Sequence, residues 1–214
     1  RGLGDVYKRQ VSFAALAVII ITIISVPFAA VLLKLGKEEA DTMSYFILSE
    51  TLMLAGVFLS AWIVWHLRGF SLEGLGRSLT MRWKDWLSGI LLATVLYAVG
   101  FGISLWTGAV EIAGVAFNPS SLLISLVFFL LVAVTEELAL RGFVLERLLQ
   151  SGVNKFCALF LSAALFSLIH IGNPNFDFLS FINILLAGIL LGSSYIYTRN
   201  LCFPIALSYT HLTL

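Results

Sequence analysis

Seven stretches of this 214-residue sequence are apolar and long enough to cross a lipid bilayer as an α-helix, which takes about 20 residues. Only short polar connections separate them, so no segment remains for a soluble domain. Charged residues make up 12% of the chain, against about a quarter in soluble domains, and hydrophobic residues make up 60%. The sequence therefore predicts an all-α fold, a polytopic transmembrane bundle of about seven helices. The expected spans are 11–33, 44–66, 86–107, 121–140, 156–172, 180–197 and one that starts near residue 201.

The charge pattern of the loops predicts the orientation of the bundle. Basic residues concentrate after the second, fourth and sixth spans, whereas the loops after the third and fifth spans carry only Glu111 and Asp177. Lysine and arginine favour cytoplasmic loops, so the N-terminus is expected in the cytoplasm. A net charge of +1 argues against nucleic acid as a partner and leaves the lipid bilayer as the expected surroundings.

Both ends of the chain differ in character from the rest. Residues 1–10 (RGLGDVYKRQ) and 208–214 (SYTHLTL) resemble translated adapter sequence, and the second string interrupts an apolar span. We expect both to be artefactual tails. Between them, the sequence divides into an N-terminal helix pair at 11–67 and a core at 70–207.

The segment LVAVTEELALRGF places three ionisable residues in an apolar helix, where each charge costs about 2.5–3.5 kcal/mol on insertion scales. Glu137 and Arg141 are four residues apart and can pair on one helix face. Glu136 lies about 100° around the helix and is then free to face another helix. The alternative is a cytoplasmic helix end that carries solvated charges.

A depth argument connects Glu136 with His170, the only histidine inside an expected span. If the fourth helix continues to a turn around Gly152–Asn154, Glu136 lies 17 residues before Val153 and His170 lies 17 residues after it. At a rise of 1.5 Å per residue, both lie about 25 Å from the turn and can share a water or a metal. The alternative is a structural histidine.

The sixth span adds a polar candidate and a packing motif. Asn183 and His170 are nearly equidistant from the turn at Phe176 and Asp177, so Asn183 could orient the imidazole or donate to an oxyanion. The alternative is a polar residue at the membrane interface. Gly188 and Gly192 form a GxxxG step that predicts close helix packing. The remaining ionisable candidates are expected at interfaces or in the C-terminal tail, and comprise Glu50, His66 and His211.

Two motifs resemble those of a known family. EELALRG fits EExxxR at Glu136, Glu137 and Arg141, and FSLIH fits FxxxH at Phe166 and His170. In this order and spacing the core resembles the CPBP family, which comprises type II CAAX-prenyl endopeptidases and bacteriocin-processing or immunity (Abi) proteins. HIGNPN, NILLAGILLG and RNLCFPIAL resemble its bacterial branch, which implies location in a bacterial inner (plasma) membrane.

The resemblance implies an intramembrane endopeptidase, labelled a metalloprotease, that acts on a hydrophobic or membrane-associated peptide. Its implied catalytic residues are Glu136 and His170, which activate a water, together with Glu137 and Asn183; Arg141 and Phe166 give structural support. If the reaction uses a divalent metal such as zinc, Glu136 and His170 are the expected ligands, although the sequence has no HExxH motif.

The family pattern also places a second histidine directly after Pro-Ile-x-Leu on the last helix, to hold the oxyanion. Here Pro204–Leu207 is followed by Ser208. We therefore expect the parent protein to have histidine at position 208 and the chain as written to be impaired.

Two other classes of function fit the same residues. A non-catalytic bacteriocin-immunity or membrane-partner binding protein would use the polar cluster structurally, whereas a small transporter would relay protons through it. Convergence of Glu136, Asn183 and His170 on one cavity would favour a protease or a binder. A path that reaches both sides of the membrane would favour a transporter.

Overall fold

The computed structural model describes residues 42–68, 80–114, 117–150, 152–173 and 175–213, and the regular elements in this part of the chain are all helices, without β-strands. The all-α prediction is therefore confirmed. The expected first span, 11–33, lies outside these residues, so the count of seven helices stays a prediction. Six helices follow one another: α1 Thr42–Arg68, α2 Trp83–Trp106, α3 Pro119–Gln150, α4 Lys155–Ile169, α5 Phe178–Thr198 and α6 Cys202–Thr213.

Three of these helices, α2, α3 and α5, are long and apolar enough to cross a membrane. Large apolar side chains point away from the protein along α2, where Leu91, Val99 and Ile103 are each more than half exposed. Lipid would shield such side chains, and these helices fit an integral membrane protein. Helix α4 has only 15 residues, about 22 Å, and is too short by itself for the span expected at 156–172.

Helix α3 changes its winding in the middle. It is α-helical over Pro119–Glu137, π-helical over Leu138–Leu145 and α-helical again over Glu146–Gln150. The Ser162 hydroxyl of α4 donates to the carbonyl of Leu140 at 3.3 Å. This carbonyl therefore has a hydrogen-bond partner outside α3 in the segment where the backbone hydrogen-bond pattern of the helix changes. Such π-segments occur frequently at functional sites. The helix continues to Gln150, as the depth argument required.

Glycines allow the helices to approach closely. A Cβ at Gly89 of α2 would lie 2.6 Å from the carbonyl oxygen of Phe203 in α6. In α5, a Cβ at Gly188 would lie 3.0 Å from the Cα of Ala163, and one at Gly192 would lie 2.6 Å from a methyl group of Leu159. The packing role predicted for the GxxxG step is therefore confirmed.

A small apolar cluster joins five helices and supports the floor of the site. Its buried members come one from each of α2 to α6, and are Ala93, Leu140, Phe166, Leu191 and Leu207. Helix α3 runs antiparallel to α2 and α4. The side chains one turn from this cluster, later in sequence on α2 and α4 and earlier in sequence on α3, therefore lie at a common level.

Candidate active site

Glu136 of α3 and His170 at the end of α4 face each other at this level. The Oε1 atom of Glu136 lies 3.5 Å from Nε2 of His170, and the two side chains are 21% and 20% exposed. The separation is longer than a direct N–H···O hydrogen bond of 2.7–3.2 Å and short enough for one water to contact both atoms. The structure therefore brings together the two residues that the depth argument paired.

The other ring nitrogen of His170 defines which tautomer is present. Nδ1 lies 2.7 Å from the carbonyl oxygen of Phe166, one turn earlier in α4. A carbonyl oxygen can only accept a hydrogen bond, so Nδ1 carries the hydrogen. In the neutral imidazole, Nε2 then presents its lone pair toward Glu136. A carboxylate oxygen and a lone pair are both acceptors, and together they suit a water that donates to each.

Behind this pair lies a buried ion pair. Arg141 donates from Nη1 to Oε1 of Glu137 at 2.7 Å, and the side chains are 1% and 0% exposed. Its Nη2 donates to the carbonyl of Gly188 in α5 at 3.3 Å. The guanidinium also lies over the ring of Phe166, 4.6 Å from the ring centroid. Phe166 in turn meets the His170 ring edge-on at 4.8 Å, so Arg141 is linked to the imidazole through one aromatic ring.

Glu136 and His170 line a cavity of about 620 Å³ between α2, α5 and α6. This volume is in the usual range for small-molecule or peptide side-chain sites. The residues with polar side chains in its wall are Tyr97, Ser104, Glu136, His170 and Ser208. The other described residues of the wall are apolar, so the carboxylate–imidazole pair lies at the edge of a largely hydrophobic space.

Comparison with known proteins gives a match for the part of the chain that carries Glu136 and His170. Residues 118–211 match the model of the type II CAAX prenyl endopeptidase Rce1-like family. This segment of the chain is similar to Rce1-like proteins. The match covers α3 to α6 almost completely and includes Glu136, His170 and Ser208. No curated protein and no solved structure matches the chain significantly.

Ser208 lies where the sequence resemblance expects a histidine in Rce1-like proteins. It is buried in α6 and lines the same cavity as Glu136 and His170. A longer donor at this position would extend into that cavity. The natural identity of residue 208 stays a prediction.

The structure does not bring the other two residues of the predicted catalytic set to the cavity. Glu137 is fully buried in its pair with Arg141 and does not line the cavity wall. Asn183 is exposed and is also absent from the wall. Helix α5 turns Ile184, Ala187 and Leu191 toward the cavity, and Asn183 lies about 100° around the helix from Ile184.

Sequence reasoning missed two polar residues of the cavity wall and expected a third polar residue in a different environment. Tyr97 and Ser104 are seven residues apart on one face of α2, where a hydrophobic helix gave no reason to single them out. Glu50 of α1, expected at an interface, is half-buried and close enough to Glu136 for the two carboxylates to interact electrostatically. A carboxylate in an apolar helix was the signal that could have identified Glu50.

The donor set does not by itself fit a zinc site. Zinc in proteins is held by three or four protein ligands, and Glu136 and His170 supply two. No group of three histidine, cysteine, aspartate or glutamate side chains that could hold a metal occurs within the described ranges. Proton transfer and hydrogen bonding are chemistry that Glu136 and His170 can perform with these two side chains alone.

Proposed function

We propose that this chain is an intramembrane endopeptidase in which Glu136 and His170 activate a water to hydrolyse a peptide bond. The observation that carries the proposal is the 3.5 Å approach of Glu136 Oε1 to His170 Nε2 at the wall of a largely apolar cavity. The similarity of residues 118–211 to the type II CAAX prenyl endopeptidase Rce1-like family supports the same reaction. The cytoplasmic N-terminus and the bacterial plasma membrane remain part of the proposal.

In the first step, a water donates one hydrogen to Glu136 and the other to the lone pair of His170 Nε2. Glu136 takes its proton as general base while the water oxygen forms a bond to the carbonyl carbon of the substrate. The electron pair of the C=O bond moves to oxygen and gives a tetrahedral oxyanion. The Nδ1–H···O bond to Phe166 keeps His170 in the orientation that this step needs.

In the second step, the oxyanion reforms the C=O bond and the C–N bond breaks. The leaving nitrogen takes the proton held by Glu136, so the products are a carboxylic acid and an amine and Glu136 returns to its starting state. Hydrogen-bond donors that hold the oxyanion commonly contribute most to such reactions. We propose that residue 208 supplies one, weakly as Ser208 and strongly as a histidine.

The proposed substrate is a hydrophobic or membrane-associated peptide. Its apolar side chains would exchange lipid or detergent for the apolar cavity wall, and its scissile bond would lie at the Glu136–His170 edge. The family description names a CAAX prenyl endopeptidase, and a prenyl group is one apolar substituent that such a wall would accept.

The test is hydrolysis of internally quenched apolar peptides, with and without S-farnesylcysteine, by the purified chain and by its Ser208→His variant in detergent. We expect Ser208→His to be the more active of the two. In that background, Glu136→Gln should lower kcat by about 100-fold or more, as loss of a general base does. The matched control is Glu111→Gln, since Glu111 is an exposed carboxylate in the loop between α2 and α3. Thermal unfolding of each variant checks that the fold persists.

Activity of Glu136→Gln within a few-fold of its parent would exclude Glu136 as the base. A second function would stand if neither background cleaves any peptide but both bind them. Ser208, at the position where the family pattern has histidine, favours this reading for the chain as written. It would then be a binding protein for hydrophobic peptides, such as an immunity protein.

A further inference from the structure

Helix α2 forms one wall of the cavity with residues that recur every three or four positions. They are Ala93, Leu96, Tyr97, Gly100, Phe101 and Ser104. Gly100 is the one member of this face without a side chain. A Cβ built on it would meet no atom within 4 Å, so Gly100 leaves open space at the cavity wall, termed the indentation, that a larger side chain would enter.

The indentation lies about one helical turn from the Glu136–His170 pair. Ala93 and Phe166 share the apolar cluster beneath the cavity. Tyr97 and His170 lie one turn further along α2 and α4, which run in the same direction, so Tyr97 is level with His170. Gly100 is three residues beyond Tyr97, about 4.5 Å along the helix axis. Successive residues of an extended peptide are about 3.3 Å apart, so this offset corresponds to a residue adjacent to the scissile bond.

The surroundings of the indentation are apolar. Phe101 lies next to Gly100 on α2, and α5 contributes Ile184, Ala187 and Leu190 to the cavity wall. Among the residues that the structure describes, Glu136 and His170 are the only members of this cavity wall with an acidic or basic side chain. A polar or charged substrate side chain would lose its water there without a partner, whereas a large hydrocarbon side chain would gain contacts.

We propose that Gly100 is a specificity-determining residue that admits a bulky apolar side chain, of the size of leucine or phenylalanine or larger, beside the scissile bond. This inference rests on the proposed function, because it assigns a subsite to the same cavity. The side chain occupies the space that a Cβ and its substituents at Gly100 would take. Substitution of Gly100 therefore changes which peptides are accepted.

The experiment compares two quenched peptides that differ at one position next to the scissile bond, alanine in one and phenylalanine in the other. Gly100→Leu in the Ser208→His background should lower the ratio of kcat/KM for phenylalanine over alanine by about ten-fold or more, within the range that pocket size gives. Gly100→Ala should give an intermediate ratio, and it serves if the leucine variant fails to fold.

The matched control is Gly102→Leu. Gly102 is on the same helix, is exposed, has open space around its Cα and does not line the cavity. The gain in helix propensity is the same at both positions, so only the cavity contact differs. An unchanged ratio in both Gly100 variants, or an equal change in Gly102→Leu, would overturn the proposal.

A binding measurement separates this proposal from the proposed function. Fluorescein-labelled forms of the two peptides are titrated with Glu136→Gln protein, with and without Gly100→Leu, and fluorescence anisotropy is recorded. If no variant cleaves but Gly100→Leu selectively weakens binding of the phenylalanine peptide, the subsite stands and the endopeptidase proposal fails. If cleavage depends on Glu136 but substitution of Gly100 leaves the preference for phenylalanine over alanine unchanged, the subsite proposal is wrong and the endopeptidase proposal stands.

Discussion

Glu136 and Glu137 are adjacent in sequence and lie in opposite kinds of environment. Glu137 has no exposed surface and accepts a hydrogen bond of 2.7 Å from Arg141, whereas Glu136 reaches the cavity and stands 3.5 Å from His170. A rotation of about 100° per residue separates the two directions. The difference teaches that helix geometry alone can give neighbouring carboxylates a structural role and a chemical role.

The structural pair also supports the chemical pair. The guanidinium of Arg141 rests on the Phe166 ring, and the ring and carbonyl of Phe166 both contact His170. Changes on the Glu137 side should therefore act mainly on stability and on the orientation of the imidazole. Changes on the Glu136 side should act on the reaction and leave the fold intact.

The largest expected effect on stability comes from breaking the buried pair. Arg141→Met leaves Glu137 buried without its partner, which typically costs about 3–5 kcal/mol in free energy of unfolding. Arg199→Met is the control, because the Arg199 side chain is 57% exposed where it pairs with Glu146, so water can replace much of the lost contact and the cost should be smaller. Denaturant unfolding in detergent measures both.

A double variant sharpens this prediction. Glu137→Leu with Arg141→Met removes both charges, and the free energy of unfolding should recover toward that of the parent, as buried pairs replaced by apolar residues often do. Glu137 Oε2 and Arg141 Nε are buried without a hydrogen-bond partner among the residues that the structure describes, which favours this recovery. A double variant as unstable as Arg141→Met would mean that the pair contributes more than charge compensation.

The sequence predicted the depth of these side chains better than their direction. Constant helical rise placed Glu136 and His170 at one level, and the structure has them in contact distance. The same equidistance argument applied to Asn183 fixes its depth but not the face of α5 on which it lies, and Asn183 is exposed. The end of α4 at Ile169 and the π-segment Leu138–Leu145 depend on local turns and on contacts between helices, which no periodicity encodes.

A smaller effect on stability is expected at Gly188, where α5 packs closely against the ring of Phe166. A Cβ at Gly188 would lie 3.2 Å from Phe166 and 3.0 Å from the backbone of Ala163. Gly188→Ala should therefore cost about 1–3 kcal/mol, as overpacking does, and should lower activity by displacing Phe166 and His170. Gly102→Ala, in open space on α2, is the control and should not destabilise the fold. Equal stability and activity of the two variants would show that Phe166 need not stay fixed.

The smallest effect concerns a third carboxylate environment, the exposed loop before α5. Asp177 caps this helix, and hydrogen bonds from the Ser180 hydroxyl at 2.6 Å and the Ser180 N–H at 2.7 Å hold the pKa of Asp177 below its usual value. A lowered pKa in the folded state means that the charged cap stabilises the protein above the unfolded-state pKa. This contribution is lost as the pH falls through the folded-state pKa.

Asp177→Ala should lower Tm slightly at pH 7, and the difference in Tm from the parent should shrink in acid. Ser180→Ala, which keeps the carboxylate and removes one donor, should show a weaker pH dependence of Tm than the parent. A Tm difference for Asp177→Ala that stays constant from neutral to acidic pH would place the contribution of Asp177 in backbone geometry instead of charge. The carboxylate at the loop would then differ from both Glu136 and Glu137 in having no electrostatic role.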